Sequence, residues 1–172
     1  APRPRIELAR LLTQQGHHDA ACTLLEAALL ETTAATPLIA PALAESAVAC
    51  GRTVVILAQL RELYTQIPSL DVLEAIVRLE ATTGTPDMAA RDWYVRHLER
   101  EPSLVAAAKW IAGEKLEHEQ FHPQVQRALD HAVKPLTRYR CAACGFEAKQ
   151  HFWHCPGCQA WDSYPARRVE EL

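Results

Sequence analysis

Four cysteines near the C-terminal end constrain this chain more than any other feature of its sequence. Cys141, Cys144, Cys155 and Cys158 follow the pattern C-x2-C-x10-C-x2-C. Two C-x-x-C turns supply two pairs of soft ligands about 2.3 Å from a tetrahedral ion. Two disulfides or four free thiols would leave residues 138–171, which contain no Leu or Ile, without a core. The pattern therefore predicts one metal site, in a compartment that keeps thiols reduced.

Each half-site is expected to be a tight turn whose backbone N–H groups point at the sulfurs and offset the charge of the thiolates. Gly145 follows the second cysteine, where a positive φ is useful. His151 and His154 lie between the half-sites, but four cysteines complete a tetrahedron, so neither histidine is expected to be a ligand. The predicted cofactor is one iron or zinc ion held by the four thiolates.

The composition of the chain changes near residue 137. Residues 138–164 contain six of the 11 aromatic residues, whereas residues 1–137 are rich in Ala and Leu. A segment without aliphatic core residues needs a metal, aromatic packing or a neighbouring surface to fold. The sequence therefore predicts a helical domain over residues 1–137 and a metal-binding domain with a C-terminal tail over residues 138–172.

The first domain is predicted to consist of helix pairs, because apolar residues recur at helical spacing between single glycines. Gly16, Gly51 and Gly84 are separated by 35 and 33 residues. A period of about 34 residues with two helices per unit is typical of tetratricopeptide repeats. The predicted fold is all-α, a tetratricopeptide-type α-solenoid with the four-cysteine ribbon docked on it. An irregular helical bundle is the alternative.

Proline-containing segments are expected to open the helices. Thr36 is the expected N-cap of the third helix, with Pro37 at its first position. The later starts are expected at Pro68-Ser69, Pro86, Pro102-Ser103 and His122-Pro123. These signals place eight helices ahead of residue 137.

The connection between the two domains is predicted to be short. The last helix should end near Lys134, only a few residues before Cys141, which is too short for a free tether. The ribbon is therefore expected to dock on the helices, with at least one of Phe152, Trp153 and Trp161 packed against them.

Charge and motif content exclude several classes of function. The formal net charge is −3, with −4 in residues 1–137 and +1 in residues 138–172, so bulk electrostatics does not favour a nucleic-acid partner. The sequence contains no evident Ser-His-Asp, paired-carboxylate or phosphate-loop pattern, and we do not expect an enzyme. It has no uninterrupted run of 18 apolar residues, so no membrane-spanning segment is predicted within it.

A helical repeat array has no chemistry of its own and is typical of proteins that hold a peptide or another protein. In tetratricopeptide units the first helix of each pair lines the groove. The glycine register places five polar side chains at the outward positions of these helices: Arg10, Gln14, Glu45, Glu74 and Arg78. We predict that this mixed-sign surface binds the partner; the alternative is that it is simply a solvated face.

Residues 139–146, Y-R-C-x-x-C-G-F, and residues 153–161, W-H-C-P-x-C-x-A-W, resemble the C-terminal rubredoxin-type domain of the lipopolysaccharide assembly protein B family. That family has tetratricopeptide repeats ahead of the domain, and residues 100–104 resemble its last repeat junction. Gln159 stands where simple rubredoxins have glycine, which leaves the choice between iron and zinc open.

The resemblance implies a non-catalytic adaptor that regulates lipopolysaccharide synthesis. Family members lie on the cytoplasmic face of the bacterial inner membrane. They bring the deacetylase of the lipid A pathway to a membrane-anchored AAA protease and contact other lipopolysaccharide assembly proteins. The resemblance also implies an N-terminal membrane helix and further repeats that are missing here, so this fragment is expected to be soluble.

Two other classes of function are compatible with the residues. An iron centre with four thiolate ligands would permit rubredoxin-like electron transfer. A zinc ribbon is also a common interaction module for proteins or nucleic acids, although the net charge of +1 in residues 138–172 disfavours nucleic acid.

Overall fold

The computed structural model describes residues 2–84, 89–115 and 119–172, without the side chain of Glu119. In these ranges the chain forms eight α-helices followed by a small antiparallel sheet, which confirms the all-α class with a C-terminal ribbon. The helices are α1 Arg3–Gln14, α2 His18–Glu31, α3 Thr36–Cys50, α4 Thr53–Gln66, α5 Leu70–Thr82, α6 Ala90–Arg100, α7 Leu104–Gly113 and α8 His122–Val133. The strands are β1 Tyr139–Arg140 and β2 Glu147–Ala148, and 3-10 turns occupy Thr33–Ala35, Glu119–Phe121 and Val169–Glu171.

The chain divides into two compact units, Ala1–Asp87 and Met88–Leu172. The first unit contains α1 to α5, and the second contains α6 to α8, the ribbon and the C-terminal tail. The boundary at residue 137, which the composition suggests, lies inside the second unit and stays a prediction.

Helix α3 is the centre of the first unit. It packs against α2, α4 and α5, and α1 packs against α2. Its small residues allow this close approach, and its large apolar side chains, Ile39 and Leu43, are fully buried.

Gly16 and Gly51 end α1 and α3 with φ values of +80° and +76°, a conformation that glycine adopts without strain. The assignment to tetratricopeptide repeats stays a prediction.

The start of α3 differs from the expectation. Ala35, not Thr36, is its N-cap, and Thr36 is the first helical residue. The reason is the 3-10 turn Thr33–Ala35, which already runs into the helix. The Thr36 hydroxyl donates to the Thr33 carbonyl at 2.6 Å instead of accepting from a backbone amide of the first turn.

The other helix starts follow the sequence more closely. Helix α7 begins directly after Ser103, as expected, and the Ser103 hydroxyl caps it by accepting from the Ala106 backbone N–H at 2.9 Å. Helix α8 begins at His122, and α5 begins directly after Ser69. The predicted start at Pro86 lies outside the described residues.

One segment, Thr33–Cys50, is long and apolar enough to cross a membrane if only length and composition are considered. This departs from the expectation that no segment would qualify. Half of the segment is buried inside the structure, mostly against the neighbouring helices, as in the core helix of a globular domain.

In the second unit, α7 packs against both α6 and α8. Trp93, Tyr94 and His97 of α6 are buried, and α7 contributes the buried Val105 and Ala108. Burial lowers the pKa of His97, which favours the neutral form of this imidazole. Helix α8 has no buried residue, although it precedes the ribbon directly.

Candidate metal centre

The ribbon is built from two short hairpins. Strands β1 and β2 pair antiparallel, with Tyr139 opposite Ala148. In the second hairpin His154 forms an isolated bridge with Trp161. Each hairpin has a C-x-x-C turn at its tip, so the two turns present their sulfurs to a common centre.

The geometry of the four sulfurs fits a tetrahedral ion. The Sγ atoms of Cys141, Cys144, Cys155 and Cys158 all lie within 4.8 Å of one another. The Cys141–Cys158 and Cys144–Cys155 sulfur pairs are 3.8 and 3.7 Å apart. A tetrahedron with metal–sulfur bonds of about 2.3 Å has edges of about 3.8 Å. The spacing therefore suits zinc or iron, and it is too long for disulfide bonds.

The two turns repeat the same backbone hydrogen bonds. Cys141 N–H donates to the Phe146 carbonyl at 2.9 Å, and Cys155 N–H donates to the Ala160 carbonyl at the same distance. The residue after each turn, Gly145 or Gln159, donates back to the carbonyl of the first cysteine of its own turn, also at 2.9 Å. The ribbon thus has two equivalent half-sites, each closed at its base by the same pair of backbone hydrogen bonds.

The half-sites differ at the position that needs a left-handed backbone. Gly145 has φ +77°, as the sequence predicts, whereas Gln159 has φ +60°. A side chain in this conformation is strained by roughly 1–2 kcal/mol relative to an ordinary φ. The second half-site therefore requires a backbone conformation that its own residue, Gln159, disfavours.

Hydrogen bonds favour the thiolate form at the first cysteine of each turn. The Ser163 hydroxyl, 3.2 Å from the sulfur, and then the Cys144 and Ala143 amides lower the pKa of Cys141 to about 6. Burial opposes ionisation of Cys155, but the backbone amides of its turn outweigh burial, so the pKa of Cys155 is also lowered. The amides that favour the two thiolates belong to the C-x-x-C turns themselves, in line with the expectation for such turns.

The neighbouring thiols oppose ionisation of Cys144, the second cysteine of the first turn. At Cys144 the Phe146 amide favours the thiolate, but desolvation and hydrogen bonds with the other three cysteines outweigh it and raise the pKa to about 12. Four thiolates cannot be held so close together without a compensating charge. A divalent or trivalent cation supplies that charge and deprotonates its ligands.

An aromatic layer surrounds the sulfur cluster. Tyr164 is buried, its hydroxyl donates to the Phe146 carbonyl at 3.2 Å, and it lies 3.9 Å from the Cys155 sulfur. His151 approaches the Tyr164 carbonyl at 3.1 Å, and burial lowers the pKa of this imidazole. The His154 ring lies over Trp161, with centroids 4.5 Å apart. Both histidines are thus engaged with the layer, and the described ligand group consists of the cysteines alone.

At least one of three aromatic residues of the ribbon is expected to pack against the helices. The ring contacts that the structure describes for these residues are with other residues of the ribbon. Phe152, Trp153 and Trp161 contact the rings of Tyr164, His151 and His154, respectively. Trp161 remains 58% exposed. Packing of these rings against the helices stays a prediction.

The C-terminal tail makes a connection with α7 that the sequence does not reveal. The Glu170 carboxylate accepts hydrogen bonds from the backbone N–H groups of Leu104 and Val105, at 3.1 Å for Val105. It also accepts from the Ser103 hydroxyl at 2.8 Å. A negative charge at a helix N-terminus satisfies free amides and interacts favourably with the helix dipole. The tail is therefore bound to the first turn of α7.

The same tail is also bound to the beginning of the ribbon. Val169 N–H donates to the Arg138 carbonyl at 2.8 Å, and the Arg168 guanidinium donates to the Thr137 carbonyl at 2.7 Å. Arg168 also lies over the Tyr139 ring, 4.4 Å from its centroid. The tail thus links β1 to the start of α7.

The five residues predicted to bind a partner lie on α1, α3 and α5 of the first unit. Arg10, Gln14, Glu45 and Arg78 are exposed, whereas Glu74 is half-buried. Arg10 is paired with Glu7 at 3.1 Å. Their role in binding stays a prediction.

Comparison with known proteins relates the chain to one group. Residues 139–164 match a family described as "Rubredoxin metal binding domain". Over 100 residues, or 55% of this chain, the sequence is 31% identical to "Lipopolysaccharide assembly protein B" of Escherichia coli (strain K12). A protein of the same name from Haemophilus influenzae is 31% identical over 39 residues, or 23% of this chain. The chain spans 25% of the length of the first relative and 10% of the second.

Proposed function

Because both comparisons support the lipopolysaccharide assembly protein B family, we propose that this protein is a non-catalytic adaptor in lipopolysaccharide assembly. In this proposal it brings the deacetylase of the lipid A pathway to a membrane-anchored AAA protease at the cytoplasmic face of the bacterial inner membrane. The helices bind the partners, and the metal ribbon has a structural role.

The observation that carries the proposal is the attachment of a four-cysteine ribbon to packed helices through Glu170, in a chain similar to a lipopolysaccharide assembly protein. A scaffold requires fixed geometry between its parts, and Glu170 supplies it within the second unit. The ion, when bound to the four cysteines, cross-links two hairpins whose own aliphatic core is absent.

The partner surface is proposed to be the polar face of α1, α3 and α5. Charges of both signs along such a face select a partner segment by charge complementarity, which contributes more to specificity than to affinity. Arg78 is the most informative residue of this set, because it is exposed and lies well inside α5.

The test is co-purification of the tagged protein at its full natural length from cells whose inner membrane is intact. We expect the deacetylase and the AAA protease to co-purify with the wild-type protein. Reversal of charge in Arg78→Glu should reduce capture of the deacetylase while the fold survives, since exposed substitutions usually change stability by no more than about 0.5 kcal/mol.

Arg127→Glu is the matched control, because Arg127 is an exposed arginine on α8, outside the proposed surface. If Arg78→Glu and Arg127→Glu capture the partners as well as wild type, the assigned surface is wrong. If the wild-type protein captures neither partner, the adaptor role itself is contradicted.

Electron transfer is the second candidate function, and one observation favours it. Cys144 and Cys158, one from each turn, are exposed to solvent, which would leave an iron centre accessible to a redox partner. A reversible one-electron couple in the iron-loaded protein would support this candidate. Its absence would leave the structural role of the ion.

A further inference from the structure

A groove of about 750 Å³ runs between α2 and α4, open along one side. Both helices pack on α3 and have 14 residues, which corresponds to about 21 Å. The α2 wall includes Thr23, Ala27 and Leu30, which follow i, i+4, i+7 spacing and so lie on one helix face. The α4 wall includes Ala58 and Glu62 at i, i+4 spacing. The lining thus covers about two turns of α2 and between one and two turns of α4, with side chains in rows along each helix, which suits the face of a third helix.

The lining is apolar and has small residues at its middle. Leu30 is 87% exposed, although it is a large aliphatic side chain in a well-formed helix. Ala27 and Ala58 face the groove from opposite walls and allow the backbone of an occupant to approach closely. An exposed leucine beside two alanines stabilises the isolated chain very little, but it would gain contacts from an apolar occupant.

The charges at the rim are only partly compensated. Glu26 is paired with Arg52 and accepts a hydrogen bond from Gln59 at 3.1 Å. Glu62 accepts a hydrogen bond from Gln66 at 3.3 Å, and within the described part of the chain it forms no ion pair. One rim of the groove therefore presents an exposed carboxylate that a cation could pair with.

We propose that the groove between α2 and α4 binds an amphipathic helix of a partner protein, with apolar residues at i, i+4 and i+7 along the floor and a Lys or Arg opposite Glu62. Binding of a helix in an apolar groove is a common recognition mode. The open side disfavours a small molecule, since such sites bury most of their ligand. This site is separate from the adaptor surface of the proposed function, because it lies on α2 and α4, whereas the residues of that surface lie on α1, α3 and α5.

The experiment uses four probes and the metal-loaded chain of residues 1–172. Three are 16-residue helical peptides: one with Leu at i, i+4 and i+7 and Lys at the position facing Glu62, one with Glu in place of that Lys, and one with the first composition scrambled. The fourth is dodecyl maltoside below its micelle concentration. Binding is followed by amide chemical shifts of the protein and by fluorescence anisotropy of labelled peptides.

The Lys peptide should shift amides of α2 and α4 and bind about fivefold more tightly than the Glu peptide, as one exposed ion pair allows. The variant Glu62→Lys should reverse this order, so that the Glu peptide binds more tightly. Ala58→Leu, which fills the groove, should weaken the Lys peptide at least tenfold. Ala49→Leu, at an exposed alanine of α3 outside the groove lining, should leave its affinity unchanged.

Three results would overturn the proposal. The first is equal binding of the Lys and scrambled peptides, and the second is absence of shifts on α2 and α4 with any peptide at millimolar concentration. The third is binding of dodecyl maltoside without binding of the peptides, which would assign the groove to a lipid chain. None of these results bears on the deacetylase or the protease, so failure here leaves the adaptor proposal intact.

Discussion

The first unit and the ribbon bury different kinds of residue. In α2 to α5 the fully buried side chains include Leu25, Ile39, Leu43, Leu60 and Ile76. Across residues 139–164, all of which the structure describes, the buried residues are two tyrosines and two of the cysteines. Burial of apolar surface at roughly 25 cal/mol per Å² stabilises the helices, whereas the ribbon has too little such surface. The difference indicates that the ribbon depends on its ion and the first unit does not.

Replacement of a metal ligand should have the largest effect and should be confined to the ribbon. We expect Cys141→Ser to release the ion and unfold residues 139–164, because structural metal binding contributes on the order of 10 kcal/mol to such small domains. The near-ultraviolet circular dichroism of Trp153 and Trp161 should disappear while most of the helical signal remains. Cys50→Ser, at a half-buried cysteine outside the cluster, is the control and should keep both the ion and the spectrum.

An unchanged near-ultraviolet spectrum in a metal-free Cys141→Ser protein would show that the aromatic layer folds by itself. The distinction between the two regions would then fail.

A cavity in the first unit should destabilise the helices and leave the metal site intact, which is the opposite of the effect expected for Cys141→Ser. Leu43→Ala removes a fully buried side chain from α3, and such substitutions cost about 2–5 kcal/mol of folding free energy. Thermal unfolding followed by far-ultraviolet circular dichroism should occur at a lower temperature, while the metal content stays at one ion per chain. Leu30→Ala, at a leucine that is 87% exposed, should change the unfolding free energy by less than about 0.5 kcal/mol. Loss of the ion from Leu43→Ala would contradict this prediction.

The tail contact should have an intermediate effect. Glu170→Gln keeps the shape of the side chain but removes the charge that caps α7, and we expect a loss of about 1–2 kcal/mol in the second unit. Hydrogen exchange of the Leu104 and Val105 amides should accelerate, since both donate to this carboxylate. Glu99→Gln, at an exposed glutamate of α6, should leave their exchange unchanged. Equal exchange in both variants would disprove the cap.

The smallest effect should come from the strained backbone of the second half-site. Gln159→Gly relieves a φ of +60°, and after the entropy cost of glycine we expect a gain of about 0.5–1 kcal/mol. Gly145→Ala, at the equivalent position of the first half-site, should destabilise the ribbon. Competition with a chelator measures both changes as midpoints of metal release. A gain from Gly145→Ala would contradict the equivalence of the two turns.

Local signals in the sequence account for most of the helices and for the metal site. Gly16 and Gly51 end helices because their positive φ is a local requirement, and the C-x-x-C spacing brings sulfurs together within each turn. Local signals fail where a neighbouring turn competes with them. Thr36 has a side chain that commonly caps helices. The 3-10 turn before it continues directly into α3, however, so Ala35 is the N-cap and the Thr36 hydroxyl donates to the Thr33 carbonyl.

Contacts that are distant in sequence could not be predicted. Glu170 caps a helix that begins 66 residues earlier, and nothing in its own neighbourhood distinguishes it from an ordinary exposed glutamate. The groove between α2 and α4 likewise arises only when both helices pack on α3. The metal site, by contrast, could be predicted from the sequence, because its four cysteines lie in two short turns.

The most direct test of the account is hydrogen exchange of residues 1–172, measured by mass spectrometry with the ion bound and after its removal by a chelator. The dependence of the ribbon on its ion predicts that peptides from residues 139–164 lose their protection when the ion is removed. Peptides from α3 to α5 should exchange at the same rate in both states. Retained protection in the ribbon, or an equal loss of protection in α3 to α5, would contradict the account.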